Sequence, residues 1–201
     1  MGYEDVLQRA DQRRRKALAL LDDFDLFQRW SRVGRVVLVG AVAYDLVVSR
    51  DIDMEVFTRG TPDVRAGFAV LAVLAEHPKV VKARFTNALS APDQGLYWQL
   101  RCRDDEDKEW KVDVWTLDEE HPGPLSANLV EPMRSAVDSV HRRHILTLKE
   151  ARAVGDTRKV ASIDLYRAVL EGGVTTPEEL ELFLGPDYEP ALTSWFPTPG
   201  P

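Results

Sequence analysis

A mixed α/β fold followed by a helical unit is the architecture that this sequence predicts. Helix-like and strand-like segments alternate along the first part of the chain, three strands then follow one another, and after Leu117 only helix-like segments remain. We therefore predict an α/β core with an N-terminal helix at residues 1–120. A helical C-terminal unit with an irregular, proline-rich tail is predicted at 121–201.

The elements of the core follow from apolar periodicity and from turn residues. The predicted helices are Tyr3–Trp30, Ala41–Val48 and one that starts at Thr61 and ends near Glu76. The predicted strands are Arg35–Val39, Asp51–Thr58, Val80–Ala88, Leu96–Arg103 and Glu109–Leu117, the last two forming a hairpin. In the second unit the predicted helices are Met133–Ala153, Ser162–Glu171 and Pro177–Leu184.

Composition and charge restrict the function. Of the 201 residues 44% are apolar and 29% are charged, as in folded water-soluble proteins. The 33 acidic and 26 basic residues give a net charge of −7, which argues against tight binding of long duplex nucleic acid. The sequence has one cysteine, Cys102, and neither a signal peptide nor an apolar run of about 20 residues. We expect a cytoplasmic protein without a membrane partner.

Three carboxylates are the strongest chemical signal. Asp51 and Asp53 stand two positions apart on one strand, so both side chains project from the same face. Asp113 lies between Val112 and Val114, pointing away from these two apolar residues. If the two strands are neighbours, the three acids form one cluster. Carboxylate oxygens are ligands that Mg²⁺ prefers, and bound cations would offset the repulsion between the acids.

This pattern resembles the DNA polymerase β-like nucleotidyltransferase superfamily. The resemblance rests on a strand that ends in the Gly40-Ala41 turn, a short helix, a strand with Asp51-Ile-Asp53, and a later strand with Asp113. It covers about residues 33–117. Appended helices like those of the second unit also occur in this superfamily.

The resemblance implies a magnesium-dependent transfer of a nucleoside monophosphate from a nucleoside triphosphate to a hydroxyl acceptor. Asp51 and Asp53 would then bind two magnesium ions and the triphosphate. Asp113 would complete the metal site and act on the acceptor hydroxyl as general base. Gly40 would let the backbone approach the phosphates, aided by the amino end of the next helix.

Two departures from the superfamily pattern concern the turn and short helix that would bind the phosphates. Ala41 replaces a serine or glycine, and Tyr44-Asp45 replaces an Arg-Gly-like pair. A second hypothesis is therefore a catalytically inactive member that binds a nucleotide or a protein. The acceptor of an active enzyme stays open between a small molecule, a protein and an RNA end.

Other residues are weaker candidates. Lys82 and Arg84 on a predicted strand are candidate triphosphate contacts. The Met133–Ala153 helix could present Arg142, Arg143 and Lys149 to phosphates. Glu55 continues the acidic face, and we interpret it as a solvated strand position. The hairpin tryptophans are expected either to stack on a nucleobase or, more commonly, to pack against helices. They are Trp98, Trp110 and Trp115.

Overall fold

A computed structural model describes residues 3–191 and 193–197. Its helices are α1 Tyr3–Asp23, α2 Leu26–Trp30, α3 Gly40–Ala43, α4 Val64–Ala75, α5 Val130–Ala136, α6 Ser139–Val154, α7 Ser162–Gly172 and α8 Pro177–Leu184. Its strands are β1 Arg35–Val39, β2 Asp51–Thr58, β3 Val80–Ala88, β4 Gly95–Arg103 and β5 Glu109–Asp118. A single 3-10 turn, Ser126–Leu129, precedes α5.

The five strands form one mixed sheet in the order β1-β2-β5-β4-β3. Strands β2 and β5 are parallel, and the other three neighbouring pairs are antiparallel. The predicted hairpin is the β4–β5 pair. The predicted fold class, a mixed α/β sheet with appended helices, is confirmed.

One face of the sheet is covered by helices over β2, β5 and β4. Alternate residues of β2, β4 and β5, such as Ile52, Trp98 and Val112, point into a core formed with the second half of α1, α2 and α4. Trp98 and Trp110 are each 1% exposed, so both pack in this core as expected of most hairpin tryptophans. Burial of these large apolar surfaces is the main stabilising contribution on this side.

The other face is covered over only part of its width. A second apolar cluster joins Val39 of β1 and Tyr44 to helices α5–α8, and it includes Leu146 and Leu165. The first half of α1 also belongs to it, through Val6 and Ala10. Strand β3, at the far edge, keeps most of its side chains exposed on this face.

Several predicted boundaries were wrong. Asp25, with φ 48°, separates α1 from α2, so the first helix is not continuous to Trp30. The helix after β1 ends at Ala43 rather than Val48, because the next turn contains Asp45 at φ 60°. Asp138 caps a new helix and thus divides the predicted Met133–Ala153 segment. The cap of α4 is Asp63, not Thr61.

The C-terminal helices agree better with the prediction. Thr176 and Glu179 form the expected capping box of α8. Residues 185–191 and 193–197 contain neither helix nor strand, and the remaining predicted tail residues lie outside the described part. Among the helices that the structure describes, none is both long and apolar enough to cross a membrane.

Candidate active site

The sheet register brings the three predicted carboxylates together. Asp53 pairs with Asp113 across the parallel β2–β5 ladder, and Asp51 precedes Asp53 by two residues on the same face. Residues directly opposite each other in neighbouring strands share a face of the sheet. All three side chains therefore lie on the face that the C-terminal helices partly cover.

Asp53 lies in the most enclosed position of the three. Burial, followed by the neighbouring charges of Asp113 and Asp51, raises the pKa of Asp53 to about 7. These are the two effects expected when carboxylates are crowded in a desolvated site. A nearby positive charge would therefore favour the ionised form of Asp53.

Gly40 lies directly against this carboxylate. A Cβ atom at position 40 would be 2.5 Å from Oδ2 of Asp53, and the backbone has φ +66°, which side-chain-bearing residues rarely adopt. The sequence singles out Gly40 for close approach to phosphates. The structure adds a second reason for glycine here, namely the space that Asp53 needs.

Asp113 takes part in a polar network on the same face. The Tyr97 hydroxyl donates to Oδ1 of Asp113 at 2.7 Å, and Nε2 of Gln99 lies 3.3 Å from the same oxygen. Nζ of Lys111 is 2.8 Å from Oδ2 of Asp113 and 3.6 Å from Oδ1 of Asp51. Lys111, which the sequence analysis missed, thus supplies positive charge between two of the acids.

Two of the three acids border a cavity of about 220 Å³ between the sheet and the C-terminal helices, whereas Asp113 is not among its lining residues. Gly40, Ala41, Asp51 and Asp53 line its sheet side. Its helical side includes Ser126, Lys149, Ser162 and Tyr166. The cavity is thus acidic on one wall and carries a cation on the other.

Lys149 is the notable residue of the helical wall. It is only 3% exposed, and its ammonium donates to the Leu46 carbonyl at 2.6 Å and to the Tyr166 hydroxyl at 3.1 Å. Both acceptors are neutral, and no carboxylate of the described residues forms an ion pair with Lys149. A buried ammonium without a counterion is costly, so this position favours an anionic ligand.

The donor set at this cavity fits a magnesium ion in its chemistry. Asp51 and Asp53 offer carboxylate oxygens from one strand face, and their mutual repulsion would be offset by a cation. Within the part of the chain that the structure describes, no group of three His, Cys, Asp or Glu side chains is arranged to hold an ion. Asp113 would therefore have to exchange its contact with Lys111 for the metal.

Comparisons with known proteins identify the fold. The sequence matches no family model and no curated protein. Among solved structures it is similar to MgGTP-bound Cid1 poly(U) polymerase, with a TM-score of 0.59, 13% identity and coverage of 80% of this chain and 50% of that chain. Cid1 with its short product ApU gives a TM-score of 0.58 at 12% identity, covering 85% of this chain and 55% of that one.

The chain shares its fold with Cid1, which is a DNA polymerase β-like nucleotidyltransferase. A cytoplasmic RNA terminal U-transferase is a further similar structure, with a TM-score of 0.58, 15% identity and coverage of 80% of this chain and 48% of that chain. The chain thus spans about half the length of the solved structures it matches. The predicted superfamily resemblance is confirmed at the level of the fold.

Not all predicted site residues of this nucleotidyltransferase fold reach the cavity. Lys82 and Arg84 lie on β3, on the same face as Asp113 but exposed, and β3 is three strands away from β2. Neither residue lines the cavity, whose lining includes the cation Lys149. Strand order, which the sequence does not determine, is the reason for this separation.

Two other acids differ from their sequence interpretation. Glu55 is buried, not solvated, and its carboxylate accepts the backbone N–H groups of Ser126 and Ala127 at 2.9 and 2.8 Å. It thereby holds the 3-10 turn against the sheet. Asp45 does not line the cavity, because it pairs with Arg142 at 3.1 Å on the outside of the turn.

Proposed function

We propose that this protein is a metal-dependent nucleotidyltransferase that moves a nucleoside monophosphate from a nucleoside triphosphate to an acceptor hydroxyl and releases pyrophosphate. The main support is one cavity in which Asp51 and Asp53 face the buried, unpaired ammonium of Lys149. Such a site offers positions for cations and for polyphosphate side by side. The solved structures with this fold include nucleotide-bound forms.

In this proposal each side chain has a distinct task. Asp51 and Asp53 hold two magnesium ions, which, when bound, neutralise the charge of the triphosphate. Lys149 binds a phosphate oxygen, and the Gly40–Ala41 backbone borders the same space. Asp113 accepts the proton of the attacking hydroxyl, with Tyr97 and Gln99 orienting its carboxylate through hydrogen bonds.

Thermal unfolding with nucleotide and metal tests the proposal. At a triphosphate concentration about 100-fold above Kd, we expect magnesium and nucleotide together to raise Tm by about 5–10 °C. Asp53→Asn should abolish the increase, because the metal loses its most enclosed ligand. Asp156→Asn, an exposed acid outside the site, should keep it.

Transfer of a labelled nucleotide to candidate acceptors is the companion assay. The acceptors are a small polyhydroxylated molecule, a protein and an RNA with a free terminal hydroxyl. Absence of both transfer and the metal-dependent Tm increase would refute nucleotidyl transfer.

One observation favours the second hypothesis, a catalytically inactive nucleotide- or protein-binding protein. The ammonium of Lys111 already lies between Asp51 and Asp113 and could replace a metal permanently. Such a protein would bind nucleotide equally well in EDTA and in magnesium. Lys111→Met would then lower its stability, whereas in an enzyme it would strengthen metal binding.

A further inference from the structure

Strand β3 is the last strand of the sheet, and its outer edge has no neighbouring strand. Every second residue of such a strand points its N–H and C=O groups away from the paired neighbour. At the ends of β3 these groups are used locally, since the Val80 N–H donates to the His77 carbonyl and the Ala88 carbonyl accepts from the Ala91 N–H. Among the described residues, only β4 forms hydrogen bonds with the backbone of residues 82–87. The middle of β3 is therefore free to pair with a further strand.

Helix α4 lies beside this edge and is apolar on almost every side. Arg65 is the only polar residue in its sequence, and helices of this kind are ordinarily buried all round. Yet Phe68, Ala72 and Ala75, which stand at helical spacing on one flank, are all exposed. The ring centroid of Phe68 is 4.8 Å from that of Phe85 on β3, and Phe68 is still 45% exposed. This flank of α4 therefore lies open at the edge of the sheet.

The side of β3 that faces α4 continues the apolar surface. Register places Ala83 opposite Leu100 and Phe85 opposite Trp98, and both residues of β4 are buried in the core under the helices. Ala83 is nevertheless exposed and Phe85 only half-buried, because the sheet ends at β3. A further strand paired with β3 would cover these two side chains together with the open flank of α4.

The opposite side of β3 is cationic. Lys82 and Arg84 alternate with the two apolar residues, so their side chains point to the other face of the sheet. Arg101, the residue opposite Lys82, pairs with Glu109 at 2.5 Å. Lys82 and Arg84 are exposed, and neither forms an ion pair within the part of the chain that the structure describes. Since β3 and β4 contain no acidic residue, these two cations have no counterion on their own strands.

A strand that pairs with β3 must therefore be apolar on one face and acidic on the other. Its apolar side chains would meet Phe85 and the flank of α4, and its acidic side chains would lie beside Lys82 and Arg84. A second copy of β3 does not fit, because two-fold pairing would bring two more cations to the same face. A nucleic acid would neutralise the cations but would leave the apolar flank exposed. The two surfaces together favour a polypeptide.

We propose that β3 and the open flank of α4 form a docking site for an extended acidic segment of a partner protein, which adds to the five-stranded sheet as a further strand. Its backbone pairs with residues 82–87, and acidic side chains at alternate positions pair with Lys82 and Arg84. The apolar side chains between them pack on Phe68 and Phe85. Strand addition takes its affinity from backbone hydrogen bonds and its specificity from alternate side chains. The docking site is separate from the cavity and does not depend on the proposed function.

Fluorescence anisotropy with labelled synthetic peptides tests the docking site on the full chain. The alternating peptide has nine residues, as many as β3, with glutamate at every second position and valine or phenylalanine between. The grouped peptide has the same composition with all glutamates at one end. Two further peptides keep the alternating sequence and carry methyl groups on alternate backbone nitrogens, one peptide for each of the two sets of positions.

We expect the alternating peptide to bind at least about tenfold more tightly than the grouped peptide, because only alternation separates the acidic face from the apolar one. One of the methylated peptides should lose binding, since its blocked N–H groups are those that face β3. The other should stay within about threefold of the unmethylated peptide. Attraction of charge alone would not distinguish the two methylated peptides.

A charge-reversal variant locates the acidic face of the peptide. Lys82→Glu/Arg84→Glu should weaken binding of the alternating peptide at least about tenfold and should instead favour a peptide with lysine in place of glutamate. The matched control, Arg59→Glu/Lys159→Glu, changes the net charge equally at exposed positions outside β3. It should keep binding within about threefold of wild type.

A second pair of variants locates the apolar face. Ala72→Glu/Ala75→Glu places two charges on the flank of α4 beside β3, whereas Ala69→Glu/Val73→Glu places two on the rest of its exposed surface. We expect the first to weaken binding at least about tenfold and the second to stay within about threefold. None of these residues lines the cavity, so the rise in Tm with magnesium and triphosphate should persist in every variant.

Several outcomes would overturn the docking site. They are no binding of the alternating peptide below about 1 mM, equal binding of the alternating and grouped peptides, and equal loss of binding in a variant and its control. Self-association of the chain that Ala72→Glu/Ala75→Glu abolishes would identify a second copy as the occupant instead. Binding of single-stranded RNA, lost in Lys82→Glu/Arg84→Glu, without peptide binding would identify a nucleic acid. A missing triphosphate response in the wild type would refute the proposed function and leave the docking site intact.

Discussion

At the scale of single residues, the acids of the candidate site were predictable and its cations were not. Asp51, Asp53 and Asp113 are recognisable because each has a local context: alternation in a strand or apolar flanks. The sequence offers Lys149 only as one of several cations on a helix. Lys149 can be singled out only from the tertiary packing, since its ammonium donates to the Leu46 carbonyl about a hundred residues away along the chain. Lys111 is missed because nothing local marks it.

Gly40 provides a prediction with an internal control. Gly40→Ala introduces a positive-φ alanine and a Cβ atom 2.5 Å from Oδ2 of Asp53, whereas Gly60→Ala introduces only the positive φ, with no atom within 4 Å. We expect Gly60→Ala to lower the free energy of unfolding by about 1–2 kcal/mol. Gly40→Ala should cost about 1–3 kcal/mol more, because a buried carboxylate must move.

Urea unfolding of the two glycine variants measures this difference. Equal losses of stability would mean that Asp53 has room to move. In that case the close contact between Gly40 and Asp53 would not be a constraint on the site.

Lys149 provides a second prediction at this scale. Lys149→Met keeps the apolar stem and removes the buried ammonium. We expect the Tm increase on adding magnesium and triphosphate to fall by at least half. The Tm without ligand is measured separately, because the Leu46 carbonyl and the Tyr166 hydroxyl lose a hydrogen-bond donor. Lys159→Met, at an exposed position, is the control. If Lys149→Met leaves the Tm increase with magnesium and triphosphate unchanged, Lys149 does not contribute to nucleotide binding.

At the scale of elements, strands were predicted more accurately than helices. All five strands begin and end within one residue of the predicted bounds, because alternation and turn residues define both ends. Helix interruptions were missed where apolar periodicity continues across a break, as at Asp25 and Asp138. Asp138 is recognisable in retrospect, since its carboxylate accepts the N–H groups of Val140 and His141.

Strand order explains why the predicted triphosphate contacts lie away from the cavity that Asp51 and Asp53 border. Lys82 and Arg84 lie on the strand that directly follows α4 in the chain, yet this strand is the far edge of the sheet. The β5 strand inserts between β2 and β4 instead. Sequence proximity to the acids therefore did not mean spatial proximity.

At the scale of the whole molecule, α1 connects the two apolar clusters. Its first half packs with the C-terminal helices through Val6 and Ala10, and its second half packs under the sheet through Leu20 and Phe24. Arg9 and Arg13 of α1 both pair with Glu150 of α6. The polar link between the two parts is therefore pH-dependent.

Glu150 provides the pH prediction. Hydrogen bonds from Arg9 and then Arg13 lower the pKa of Glu150 below its ordinary value. A lowered folded-state pKa contributes stability that is present above the unfolded pKa and lost as the pH falls through the folded one. Glu150→Gln should therefore cost about 1 kcal/mol at pH 7 and nothing near pH 3.

Urea unfolding at both pH values measures the effect of Glu150→Gln. Glu189→Gln, at an exposed position, should show no such dependence. A stability difference between Glu150→Gln and wild type that is the same at pH 7 and near pH 3 would show that these ion pairs do not contribute.

The packing of α1 in both clusters has a consequence for access to the cavity between the sheet and the C-terminal helices. Because α1 packs against both apolar clusters, it resists their separation. The two clusters could move apart only if α1 bent or lost one set of its contacts. If the protein is the proposed nucleotidyltransferase, its reactants would then enter and leave along the uncovered edge of the sheet beside β3. If products and reactants use the same opening, release of the product would compete directly with binding of the next acceptor.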